Sequence, residues 1–153
     1  MKTLALTGHR KLEKGFSRER LLFKLEELIE EGYDGFLCGM AEGFDLLALD
    51  CLVELKRKYR IYIEACIPYK GQEAGFSAEE KARYRELLPW CDRRTVLFAI
   101  FQNGCYLVRN RYMVDCAQGV LAYLTRHTGG TAYTVNYARE KHLPVYLFNN
   151  ESE

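Results

Sequence analysis

"DGFLCGMAEGFDLLALDCLVEL", residues 34–55, holds a short apolar run, a loop with two glycines, and a long stretch rich in leucine. The run DGFLC reads as a buried strand. The stretch from Phe44 reads as a helix, with Leu47, Cys51 and Glu54 on one face and Leu49, Leu52 and Val53 on another. Because it is apolar around much of its circumference, this helix should be well buried. A strand passing into a helix across a glycine loop is one βα unit. The fold then depends on whether the unit repeats.

It repeats in both directions. Upstream, KTLALT reads as a short buried strand. It is followed by the helical stretch SRERLLFKLEELIEE, whose Leu21, Leu22, Leu25, Leu28 and Ile29 fall on one face. Ser17 suits its N-cap and Gly32 its C-terminal stop. Downstream come a strand, RIYIEACIP, and a helix, SAEEKARYRELL, opened by Ser77 with Glu80 three residues on, a capping-box spacing. RTVLFAIF reads as a strand, CYLVRNRYMVDCA as a helix and GVLAYL as a strand. TAYTVNYAREK is then a helix and PVYLF a last strand. Strands alternating with helices define an α/β fold: a doubly wound, mostly parallel sheet with helices on both faces. One domain over residues 1–148 is expected, followed by a polar tail over 149–153.

Composition agrees with a globular domain. Of 153 residues, 48% are hydrophobic and 28% charged, and the formal net charge of +1 argues against a protein that coats DNA by charge alone. No window approaches the roughly 20 apolar residues of a membrane span. The N-terminus lacks the apolar run of a secretion signal, so a cytoplasmic location is expected. The six cysteines are widely spaced and mostly set among apolar residues, as in YIEACIPY, which suits reduced thiols. Neither they nor His9, His127 and His142 show metal-ligand spacing, so no metal or cofactor is expected.

In such a sheet, ligands bind outside the carboxyl ends of the strands, so the loops after the strands carry the site. Three stand out: Thr7-Gly8-His9-Arg10, then Gly39-Met40-Ala41-Glu42-Gly43-Phe44-Asp45, then Thr128-Gly129-Gly130-Thr131. Each brings glycine to or near a helix N-terminus, where unpaired N–H groups and the helix dipole favour an anion. Hydroxyls of Thr7, Thr128 and Thr131 could add hydrogen bonds. Asp45 has two roles open to it, accepting from ribose hydroxyls or capping its helix, and Glu42 faces the same choice. Arg10 could pair with a phosphate. On the helix VRNRYMVD, Arg109 and Arg111 either point to the ligand edge or form a solvated face. The basic run Lys56–Arg60 reads as structural, its cations at a helix C-terminus. Neither a GxGxxG nor a GxxxxGK[ST] signature is present.

Taken together, LALTGHR, GMAEGFD, RNRYMVD and GGT resemble the SLOG superfamily. This Rossmann-like group includes the lonely-guy nucleotide hydrolases and the DprA/SMF DNA-processing proteins. Among its members the chain looks most like the YpsA-like branch, over nearly its whole length, from Thr3 to about Tyr146. The resemblance implies a pocket for a nucleotide or nucleotide derivative such as AMP, NAD or an ADP-ribose-like molecule. Phosphate would lie near the GGT loop, with sugar and base contacts from GMAEGFD, and dimers or larger oligomers would form. The lonely-guy enzymes pair an arginine, in an R-K-x-x-M helix, with a glutamate after a P-G-G-x-G-T loop. Here Arg109 and Met113 match the R-x-x-x-M frame, but Tyr133 and Thr134 stand where the acid should be.

The first expectation is therefore a module that binds or senses a nucleotide-type ligand. The first alternative is a hydrolase of nucleoside monophosphates acting at the N-glycosidic bond, with Arg109, Glu42 and Asp45 as catalytic candidates. The second is a DprA-like single-strand binder using arginines and aromatics. Against the last, the rings of TVLFAIF read as core.

Overall fold

The computed structural model describes residues 1–149, which form one parallel six-stranded sheet with five α-helices. The strands are β1 (Thr3–Gly8), β2 (Gly35–Cys38), β3 (Tyr62–Tyr69), β4 (Arg93–Phe98), β5 (Gly119–Tyr123) and β6 (Val145–Phe148). The helices are α1 (Arg18–Glu30), α2 (Phe44–Leu55), α3 (Ala78–Leu87), α4 (Cys105–Asp115) and α5 (Gly130–Glu140). Two short 3-10 turns, Gln72–Gly75 and Leu88–Trp90, flank α3. The expected polar tail lies outside the described residues, apart from Asn149.

In the sheet the strand order is β4-β3-β2-β1-β5-β6, with every pair parallel. Side chains alternate between two cores, as the period-two geometry of strands requires. Leu4, Leu6, Phe36, Ile63 and Leu121 meet α1, α2 and α3. Ala5, Leu37, Cys66, Val120 and Ala122 meet α4 and α5. Because α4 returns from the edge strand β4 to β5 on the opposite face from α1, the winding reverses between β1 and β5. That reversal opens the crevice where doubly wound sheets bind ligands.

Local signals act where the sequence places them. Ser17 accepts from the Arg20 N–H at 3.2 Å and so caps α1. At the other end Gly32 takes φ +114, and the N–H groups of Gly32 and Tyr33 return to the carbonyls of Ile29 and Leu28. This is the hydrogen-bond pair of a Schellman stop. Helix α2 is the most buried, with eight of its twelve residues inside, because it lies between α1 and α3 against the sheet.

One expected strand ends early. The run RTVLFAIF was expected to be strand and core through Phe101, but β4 pairs with β3 only as far as Phe98, opposite Tyr69. As an edge strand it has no outer neighbour, so once pairing stops the chain leaves the sheet. Ile100 and Phe101 are then 70% and 53% exposed. All six cysteines are free, and four are buried. Burial pushes the Cys51 thiol up to about 12. No helix among the described residues is long and apolar enough to cross a membrane.

Candidate functional site: a cationic cleft at the switch point

The carboxyl ends of β1 and β5 and the helices α4 and α5 enclose a cleft of about 330 Å³. The end of β1 contributes Thr7 and Gly8, and the loop after it His9 and Arg10. Ala41 and Asp45 reach it from the β2–α2 segment, and Arg109 and Asn110 from α4. Gly130 and Thr131 form its end at α5. Leu6, Tyr106 and Arg126 also line it. Of the residues expected at the site, Gly39, Met40, Glu42, Gly43, Thr128 and Gly129 lie outside the lining.

Chemistry at the α5 end suits an anion. Gly129 precedes the helix with φ +96, and no side chain caps the first turn. The leading N–H groups of this eleven-residue helix therefore point outward with the positive end of its dipole. Thr7 and Thr131 line the cleft, and among the described residues neither hydroxyl has a hydrogen-bond partner, so both stay open to whatever fills it. Arg10 and Arg126, both exposed, add two cations at the rim.

His9 holds this end together. Its Nε2 accepts the Thr125 N–H at 3.0 Å, so the ring is neutral and fixes the start of the β5–α5 loop. Burial, and then the Arg126 charge, push its pKa below the ordinary histidine value, while Glu13 pulls weakly the other way.

The β2–α2 segment is built differently, because the protein itself takes its N–H groups. The Ala41 N–H donates to Asp45 Oδ2 at 3.2 Å, the Gly43 N–H to Glu80 Oε1 at 3.2 Å, and the Phe44 N–H to the His9 carbonyl at 3.2 Å. Glu42 turns to α3 and accepts the Ser77 N–H at 3.1 Å. The capping box expected within α3 is thus shared: Ser77 caps the Glu80 N–H, while the Glu80 carboxylate crosses to α2. Gly43, at φ +80, sits so close to the β1–α1 loop that a β-carbon would fall 2.0 Å from the Arg10 carbonyl oxygen.

Arg109 is 5% exposed and acts as a strut beneath the cleft. Its Nη1 donates to the carbonyls of Gly39, just past β2, and Cys66, within β3, and its Nε donates to Asn110. Asp45 lies beside it. Burial pushes the Asp45 carboxyl up to about 6 despite the pull of Arg109, the Ala41 N–H and Arg10. Arg111 points elsewhere, to the Tyr133 hydroxyl, and Asp115 bonds Tyr137 and Lys141 on the surface. Asp45 is therefore the carboxylate that lines the cleft. Arg126 and Tyr106 were not foreseen. Tyr106 stands three residues before Arg109 on α4, a spacing that places the two on one face of the helix. Arg126 lies just ahead of the Thr128–Thr131 loop.

The topology places the chain among the doubly wound α/β proteins, and this cleft lies at the switch point of its sheet. A family model described as the YspA SLOG family matches residues 4–147, and the chain belongs to that family. It is 29% identical over 145 residues to the uncharacterized SPbeta prophage-derived protein YoqJ of Bacillus subtilis strain 168, covering 86% of this chain and 85% of that one. It is 24% identical over 161 residues to the UPF0398 protein OB1025 of Oceanobacillus iheyensis, covering 95% and 88%. Among solved structures, the DNA processing protein A of Streptococcus pneumoniae superposes with TM-score 0.66 at 17% identity over 95% of this chain. The Helicobacter pylori DNA processing protein A does so with TM-score 0.68 at 15% identity over the same share. This chain spans 50% and 64% of the length of those two neighbours.

Proposed function

We propose that the cleft binds the phosphate of a nucleotide or nucleotide derivative, of AMP, NAD or ADP-ribose type, and that the protein works as a binding or sensing module. One observation carries the reading. The uncapped start of α5, the unpartnered hydroxyls of Thr7 and Thr131, and the Arg10 and Arg126 guanidinium groups all meet at the switch point. A volume of about 330 Å³ lies at the small end of ligand sites and suits one nucleotide unit. Membership of the SLOG family and the likeness to the Helicobacter protein, described as binding single-stranded DNA, support a nucleotide or nucleic-acid ligand. Homo-oligomers belong to the same proposal, and light scattering on the purified protein tests them.

Thermal denaturation against AMP, ADP, NAD, ADP-ribose and short oligonucleotides tests the reading. A ligand at a hundred times its Kd stabilises by about 2.7 kcal/mol, which is roughly 5–10 °C here. Arg126→Ala should weaken the ligand that binds about tenfold, about 1.4 kcal/mol, and leave the melting temperature of the ligand-free protein unchanged. No shift with any member of the panel refutes the proposal.

A hydrolase is the second reading, favoured by Asp45, the cleft carboxyl that burial holds near pKa 6 and so able to donate or accept a proton near neutral pH. Chromatography of the same samples decides. Release of free base that stops in Asp45→Asn establishes catalysis. A shift without product leaves a binding module.

A further inference from the structure

Phe101, which the sequence assigns to the core at the end of β4, stands instead beside Tyr106 at the cleft. Tyr106 lines it, with the Arg10 guanidinium 5.1 Å from the ring centroid. Phe101 meets Tyr106 at 6.2 Å and Tyr69 at 5.4 Å between centroids, the latter edge to face at 87°. Tyr69 and Tyr106 complete the triangle at 6.1 Å. Phe101, 53% exposed, keeps much of its ring open to water, which costs free energy that core packing would have recovered.

We propose that this aromatic triangle is the base platform of the site: the nucleobase stacks on the open face of Phe101 and meets Tyr106, tilted 58° to that ring, at its edge, while its phosphate sits at the start of α5. The inference rests on the phosphate reading above and extends it from an anion to a phosphate that carries an aromatic base. Three features favour a base. The cleft is small, about 330 Å³, so a base whose phosphate sits at α5 lies against its lining or its rim. Tyr106 is shared between cleft and triangle, so the two are continuous. Arg10 joins cation to ring at that boundary, an arrangement that accepts the flat face of a base and the charge of its phosphate together. Because stacking reads the π-face rather than the base edge, adenine and guanine should bind alike.

Calorimetric titration of the full chain with inorganic phosphate, ribose 5-phosphate, AMP and GMP tests the inference. AMP and GMP should each bind about tenfold or more tighter than ribose 5-phosphate, the usual worth of stacking a single base. Phe101→Ala, at an exposed position that should leave the fold intact, should remove that advantage and leave ribose 5-phosphate affinity unchanged. Phe101→Trp should restore it. If ribose 5-phosphate binds as tightly as AMP, or the advantage survives in Phe101→Ala, the platform is refuted while the phosphate site stands. If none of the four binds, both readings fall. If Phe101→Ala instead changes the oligomeric state in light scattering without changing the AMP advantage, the triangle is a contact between copies and the inference is overturned.

Discussion

Two glycine-rich loops follow two strands of one sheet, each leading into a helix of similar length, and they behave in opposite ways. The β2–α2 loop gives its N–H groups to Asp45, Glu80 and the His9 carbonyl. The β5–α5 loop gives the Thr125 N–H to His9, but no side chain caps the first turn of α5. In one case glycine lets two backbones touch, as Gly43 does against Arg10. In the other it leaves room, since a β-carbon on Gly130 would meet nothing nearer than Asn110 Nδ2 at 3.8 Å. Glycine before a helix therefore signals a close approach but does not say what approaches. The acceptors of the N–H groups say that, and here they divide a structural knot from the proposed ligand site.

The strongest way to break this contrast is Arg109→Met. If Arg109 is the strut under the closed loop, its loss leaves Asp45 with only the exposed Arg10 as a nearby cation and takes a donor from the carbonyls of Gly39 and Cys66. A hydrogen bond from a charged donor contributes about 1.5–3 kcal/mol, and Arg109 makes two to buried carbonyls. Urea denaturation should show that loss. Should the variant keep its stability and lose only ligand affinity, Arg109 belongs to the open half and the division fails.

Next in size is a paired glycine test. Gly43→Ala puts a β-carbon on the Arg10 backbone at positive φ and should cost about 3 kcal/mol or more, since neither backbone can give way cheaply. Gly130→Ala should change stability by no more than about 0.5 kcal/mol. Melting curves of the two variants check this, and equal losses would erase the distinction between the loops.

Much of the fold was legible because its signals are local. Hydrophobic period, the Ser17 and Ser77 caps and the Gly32 stop all act within four residues, and six strands and five helices stand where those signals place them. The end of β4 was not legible, since an alternating apolar run reads the same whether or not a neighbour strand continues beside it. The site divides on the same line. The anion-friendly α5 start could be read from Gly129-Gly130-Thr131. The closure of GMAEGFD could not, because its partners Glu80 and His9 lie more than thirty residues away and only the tertiary fold delivers them. Arg126 and Tyr106 enter the cleft for the same reason, brought there by the crossing of α4 and the turn after β5.

The finest test of the contrast is pH, because each half holds a titrating group and the two act with opposite sign. His9 is held below its ordinary value, so the fold favours its neutral form. The stability this provides is present above the ordinary histidine range and is lost as pH falls through the lowered value. Protonation removes the acceptor of the Thr125 N–H and sets a second charge beside Arg126, which frees the start of the β5–α5 loop. Asp45 runs the other way. With its carboxyl raised to about 6 from an ordinary 3.8, its contribution is full below 3.8 and is lost as pH rises through 6. Between pH 4 and 6 the two partly cancel, so the whole-protein melting curve should vary little on their account. Asp45→Asn removes one side of the balance, and its stability relative to wild type should improve as pH rises from 4 to 7. The His9 side is smaller, about 1 kcal/mol for a single hydrogen bond. An NMR titration of the imidazole isolates it. The ring should titrate below 6.5, and its protonation should perturb the amides of Thr125 and Arg126 but not those of Ala41 and Gly43. Equal movement of both sets would mean that the loops are coupled, and that the closed knot takes part in the open site.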